Sequence, residues 1–216
     1  MDSVIPGLYA STPARLPFDD SLEIRSFLLQ REDGNVLVYR GDTLALDADE
    51  VNELGGLSRQ YLNHRHEASP VSDWVADAFH APLFVHKNEA ESVSRTANVG
   101  AIFFARHRLD GDFHVIPTPG HTAGATAYLW DSGEYRTLFT GDTIYFRDGE
   151  WVAAVLGFSD RERYVSSLEL LREIEFDVLV PWAATSGGPY YAVVDRFEAR
   201  RRIDAILERV RRGESG

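Results

Sequence analysis

The chain has 216 residues, 44% of them hydrophobic and 26% charged, proportions that suit one globular domain over residues 1–216 with a well-filled core. It contains no cysteine, which excludes disulfides, thiolate catalysis and sulfur-ligated metals and leaves His, Asp and Glu as metal ligands. Thirty-four acids against 22 bases give a net charge of −12, which disfavours nucleic acid or an anionic membrane as partner and leaves a small-molecule substrate or ligand. No apolar run approaches the roughly 20 residues that cross a bilayer. The first residues, Met1-Asp2-Ser3-Val4-Ile5-Pro6, lack the basic-then-apolar form of a signal peptide, so the expected location is cytoplasmic.

In chain order, the N-terminal third reads as meandering strands. Leu22–Leu29 is rich in branched residues, and Arg31–Asn35 reads as a hairpin turn leading into Val36–Tyr39. Thr43–Asp47 follows as a short apolar strand ending in acid. Ser69 as N-cap and Pro70 at the first helical position then open a helix. Its apolar face carries Val71, Trp74, Val75, Ala78 and Phe79. Pro82–His86 reads as a buried strand with His86 as a strand-end structural histidine, and a short helix starts at Asn88. Phe113–Pro117 is a further strand. Ala125–Trp130 and Thr137–Thr140 form a pair joined through Asp131-Ser132-Gly133. Ser159-Asp160-Arg161-Glu162 has the form of a capping box opening a helix with Tyr164, Val165, Leu168, Leu171 and Ile174 on one face. Phe176–Val180 is the expected final strand. A last helix from about Val193 carries Arg200-Arg201-Arg202 as a solvated face.

Chemistry concentrates in loops that leave strands. His64 and His66 stand one residue apart in Asn63-His64-Arg65-His66-Glu67, where two imidazoles can share a divalent ion. In Thr118-Pro119-Gly120-His121-Thr122-Ala123-Gly124, His121 follows a glycine that lets the backbone turn sharply. Phe139-Thr140-Gly141-Asp142-Thr143 ends an apolar strand with one carboxylate, and Val180-Pro181-Trp182-Ala183-Ala184 ends another with none. Beyond it, Thr185–Tyr191 pairs two glycines with two tyrosines, either as an aromatic edge over a pocket or as a surface loop packed on the last helix.

H-x-H, P-G-H-T-x-G and T-G-D-T in this order resemble the metallo-β-lactamase-fold superfamily. The resemblance implies an α+β fold, a four-layer αββα sandwich with a metal site at one edge. It assigns His64, His66 and His121 to a first metal and gives Asp142 a bridging position. Three imidazoles leave one tetrahedral position open for water, the arrangement of a catalytic zinc.

The departures are equally informative. The family pattern H-x-H-x-D-H reads here His64-Arg65-His66-Glu67-Ala68-Ser69, and the histidine of a later P-G-H-G turn is Ala183. All three losses fall on the second metal site, which favours a chain reduced to one ion. Glu67 is the neighbour that could stand in for the lost aspartate. The expected cofactor is one zinc or iron ion, or none if the histidines are remnants bonded to backbone. The leading expectation is a single-metal hydrolase of esters or thioesters, with Asp142 as fourth ligand or as the group that orients water. Two alternatives stand beside it. One is a mononuclear iron dioxygenase on the positions of His64, His121 and Asp142. The other is a catalytically degenerate family member that binds a small molecule or a protein.

Overall fold

A computed structural model describes residues 1–214, which divide into two compact units, Met1–Phe104 and the remainder from Ala105. The first unit contains β1 (Asp2–Ile5), β2 (Leu8–Ala10), β3 (Ala14–Leu16), β4 (Asp19–Ile24), β5 (Phe27–Leu29), β6 (Val36–Val38), α1 (Ala48–Glu53), β7 (Arg59–Tyr61), α2 (Val71–Phe79), β8 (Leu83–His86), α3 (Lys87–Val93) and β9 (Ala101–Phe103). Seven of these strands form one sheet in the order β1-β2-β5-β6-β7-β8-β9, while β3 and β4 pair as a hairpin. The turn at Arg31–Asn35 makes β5 and β6 antiparallel, as expected, with Gly34 at φ 98° where a Cβ would lie 2.8 Å from Ser58 Oγ. From β6 onward each connection carries a helix, and the pairs β6–β7, β7–β8 and β8–β9 are parallel. Leu28, Leu37, Leu44, Val51 and Val75 form one apolar cluster, and Leu62, Leu83, Val85, Ala90 and Val93 another.

The second unit contains β10 (His107–Leu109), β11 (Phe113–Pro117), β12 (Thr126–Asp131), β13 (Arg136–Gly141), β14 (Tyr145–Arg147), β15 (Glu150–Val152), α4 (Arg161–Glu173), β16 (Val178–Pro181), β17 (Ala183–Thr185), β18 (Ala192–Val193) and α5 (Arg196–Arg211). Its main sheet runs β10-β11-β12-β13-β16-β18. β14 pairs with both β15 and β17. Leu129, Leu138, Leu179, Tyr164, Leu168, Leu171, Ile203 and Ile206 fill the core between this sheet and helices α4 and α5. Among the described residues no helix is long and apolar enough to cross a membrane.

Several local expectations are corrected. Leu22–Leu29 is two strands, because the chain leaves the β3–β4 hairpin after Ile24 and enters the seven-stranded sheet at Phe27. Thr43–Asp47 is not a strand: Leu44–Asp47 is a 3₁₀ turn, and Asp47 accepts hydrogen bonds from the Thr12 amide and hydroxyl, each at 2.9 Å. On α2, Val75 is buried as expected, but Ser72 takes the inward position and Ala78 is exposed. Ser159 does not cap α4. Asp160 does, accepting from the Arg163 amide at 3.1 Å. Asp195 likewise starts α5 later than Val193, through the Glu198 amide at 2.8 Å. β16 is not the final strand, since β17 and β18 follow. In the Thr185–Tyr191 loop, Tyr190 packs against the α4–α5 core, in line with the packed reading.

Candidate metal centre

His64 and His66 leave β7 through a 3₁₀ turn, Arg65–Glu67, and their rings meet edge to face with centroids 4.8 Å apart. His64 is extended (φ −159°, ψ 173°) and 1% exposed. Glu67, fully buried, folds back onto it. Its Oε1 lies 3.1 Å from His64 Nδ1 and accepts from the Asn63 and His64 amides, while Oε2 accepts from the Arg40 amide. A second buried carboxylate, Glu89, accepts from the Arg65 amide at 2.9 Å. Glu67 therefore braces the His64 ring and its segment, a role different from the replacement for the missing aspartate that its place in the sequence suggests. A carboxylate facing Nδ1 fixes the proton there and aims the Nε2 lone pair outward, the arrangement found behind metal-ligating histidines.

In the second unit the same device appears with a carbonyl. His121 Nδ1 lies 2.7 Å from the Ala154 carbonyl oxygen, which only accepts, so the neutral ring presents its lone pair at Nε2. Nε2 is 3.5 Å from Asp142 Oδ2. Asp142 nevertheless stands outside the group of side chains that could share an ion.

The loop carrying His121 is built around a close approach. Gly120 has φ 146°, and a Cβ there would lie 2.4 Å from Tyr164 Cα, so only glycine lets the loop lie on the first turn of α4. Ser167 Oγ donates to the Pro119 carbonyl at 2.7 Å and Ser159 Oγ to the His121 carbonyl at 3.1 Å. The Ser159 side chain thus ties down the histidine loop. The fully buried Tyr164 hydroxyl reaches the carbonyl oxygens of Asp142 and Thr143, each at 2.8 Å. Burial, with the Asp142 charge nearby, pushes its pKa well above the usual tyrosine value, so it stays a donor. Phe158, 54% exposed, stands edge-on to the His121 ring at 6.0 Å.

The positions of the lost ligands have become ordinary structure. Ala68 packs against the apolar cluster of Leu62, Leu83 and Val93. Ser69 Oγ accepts from the Val71 amide at 3.4 Å at the start of α2, and Ala183 is 3% exposed. His86, expected to be structural, caps α3 by accepting from the Asn88 amide at 3.2 Å, and burial lowers its pKa.

His64, His66 and His121 together form a group that could hold a metal ion. The donor set of three imidazoles, two of them oriented by outer acceptors, fits a borderline divalent cation such as zinc.

The chain belongs to the metallo-beta-lactamase superfamily, whose sequence model matches residues 58–183. Uncharacterized protein YmaE of Bacillus subtilis is 31% identical over 118 residues, covering 51% of this chain and 41% of that protein. A hydroxyacylglutathione hydrolase of Mesorhizobium japonicum is 27% identical over 140 residues, covering 58% of this chain and 53% of the enzyme. The matches thus span about half or less of these relatives' own length. A metallo-beta-lactamase from Pontibacter korlensis superposes with a TM-score of 0.72 at 15% identity, covering 97% of each chain, a likeness of fold.

Proposed function

We propose that the chain is a single-metal hydrolase of a small ester or thioester, with His64, His66 and His121 as ligands and Asp142 as fourth ligand or orienter of water. The observation that carries this reading is the pair of acceptors behind the imidazoles, Glu67 at His64 Nδ1 and the Ala154 carbonyl at His121 Nδ1. Histidines kept only as remnants have no need of a buried carboxylate committed to one tautomer. A divalent ion supplies Lewis acidity and brings the pKa of water towards ~7. The chain's own groups do the rest: Glu67 and Ala154 hold the ring protons on the outer nitrogens, and Asp142 Oδ2 is placed to accept a proton or a hydrogen bond from water. The similarity to a hydroxyacylglutathione hydrolase favours a thioester among the possible electrophiles. The net charge of −12 disfavours a nucleic acid substrate.

Protein produced with zinc and iron both supplied is expected to retain about one equivalent of zinc. His121→Ala is expected to lose it, and a chelator to lower the melting temperature of the parent only, because bound metal stabilises the folded state by mass action. Retention of iron alone would indicate the two-histidine, one-carboxylate iron reading instead. Retention of neither, with no effect of chelator, would leave a binding module and overturn the hydrolase.

A further inference from the structure

A second concentration of chemistry lies within the second unit. A pocket of about 410 Å³ is lined by Arg106, Arg108, His114 and Arg136 above the apolar side chains of Leu129, Leu170 and Ile174. Strand register explains why these residues meet. Arg108 pairs with His114, His114 with Leu129, and Leu129 with Leu138, which makes one row across β10, β11, β12 and β13. Arg136 is two residues before Leu138 on β13, so alternation puts it on the same face as that row, and Arg106 lines the pocket from the position just before β10.

The charge in this pocket is not compensated as it is elsewhere. On the helices, arginines are matched: Arg172 bonds Asp204, Arg200 bonds Glu173, Arg202 bonds Glu198 and Arg211 pairs with Glu169. Among the described residues neither Arg106 nor Arg108 has an ion pair. Arg136 approaches Asp131 and Glu175 only at 3.8 and 3.7 Å, and its Nε is buried without a hydrogen-bond partner. The two glutamates at the rim are already answered by arginines outside the lining, Glu173 by Arg172 and Arg200, Glu175 by Arg196. The local potential is therefore positive on a protein of net charge −12. His114 feels it: burial first, then Arg108, Arg106 and Arg136, lower its pKa, which keeps the ring neutral and able to donate one hydrogen bond.

We propose that this pocket is a binding site for a small organic oxyanion, a carboxylate or a phosphate-type group, whose apolar part lies on Leu129, Leu170 and Ile174. Guanidinium forks match such oxyanions with paired hydrogen bonds, and a partly dry floor strengthens them.

The test uses isothermal titration of the full chain with phenylphosphonate and, separately, phenylacetate, with benzyl alcohol as uncharged control. Saturable binding of one equivalent of either anion is expected, and the stronger of the two identifies the headgroup. Arg106→Gln/Arg108→Gln is expected to weaken it at least about tenfold with an unchanged melting temperature, and the double Lys variant to weaken it less, because lysine keeps the charge and loses the fork. His121→Ala is expected to leave the affinity unchanged. The proposal fails if neither anion saturates, if benzyl alcohol binds as well, or if the glutamine variant binds normally. It fails equally if His121→Ala abolishes binding, since the anion would then sit at the candidate metal centre.

Discussion

The two sides of the family's metal site have had opposite fates in this chain. Behind His64 and His121 stand acceptors at 3.1 and 2.7 Å, one of them a fully buried carboxylate. At the three vacated ligand positions stand an alanine packed on an apolar cluster, a serine at a helix start and a buried alanine. Burying a carboxylate is costly unless its oxygens are satisfied, and Glu67 is satisfied largely through the segment that carries His64. The difference teaches that a ligand position is recognised less by its own side chain than by what is committed behind it.

The most severe way to break the histidine side is Gly120→Ala. The added Cβ meets the Tyr164 backbone at 2.4 Å at a φ of 146°, so a loss of about 3 kcal/mol or more is expected in urea denaturation. Glu67→Gln tests the outer support directly. It is expected to weaken metal binding about 10–100-fold in competition with a chromophoric chelator. An unchanged affinity would mean that the carboxylate serves the loop alone.

The refilled side can be challenged with Ala68→Asp. Facing Leu62, Leu83 and Val93, the new carboxylate is expected to cost about 1–3 kcal/mol without adding a second equivalent of metal, read by denaturation and elemental analysis. A gain of metal would show that the second site is one substitution from recovery.

The smallest effect concerns a histidine on neither side of the metal centre. With the His114 pKa lowered in the folded state, the unfolded chain takes up its proton first as pH falls below about 6.5. Stability is therefore lost as the pH drops from that value towards the folded pKa. His114→Gln is expected to flatten this part of the profile of urea midpoints against pH. Burial is the main cause, Arg108, Arg106 and Arg136 add to it, and Asp131 opposes it.

Much of the fold was legible because local signals agreed with it. The glycine turn before β6 and the apolar runs of β11, β12, β13 and β16 lie where the pattern puts them, while α2 begins one residue later than expected, with Pro70 and not Ser69 as its N-cap. Errors arose where a polar side chain had two possible partners. Ser159 and Glu162 fit a capping box by spacing, yet Asp160 is the cap, and Ser159 donates to the His121 carbonyl 38 residues away in the chain. By adjacency alone, Glu67 is a candidate metal ligand, since sequence records only neighbours along the chain. Its 3₁₀ turn folds it back onto His64 instead. His114 had no motif around it at all, since its neighbours Arg108 and Arg136 come from other strands.

By itself, the sequence determined the family, the three imidazoles, Asp142 and the asymmetry of the ligand losses, because these are matters of residue type and spacing. Only the tertiary structure decided which nitrogen of His64 and of His121 faces an acceptor, what refilled the vacated positions, and that arginines from separate segments meet over one apolar floor. Spacing constrains what neighbours along a chain can do. Hydrogen-bond partners and local potential depend on distances between segments that only folding sets.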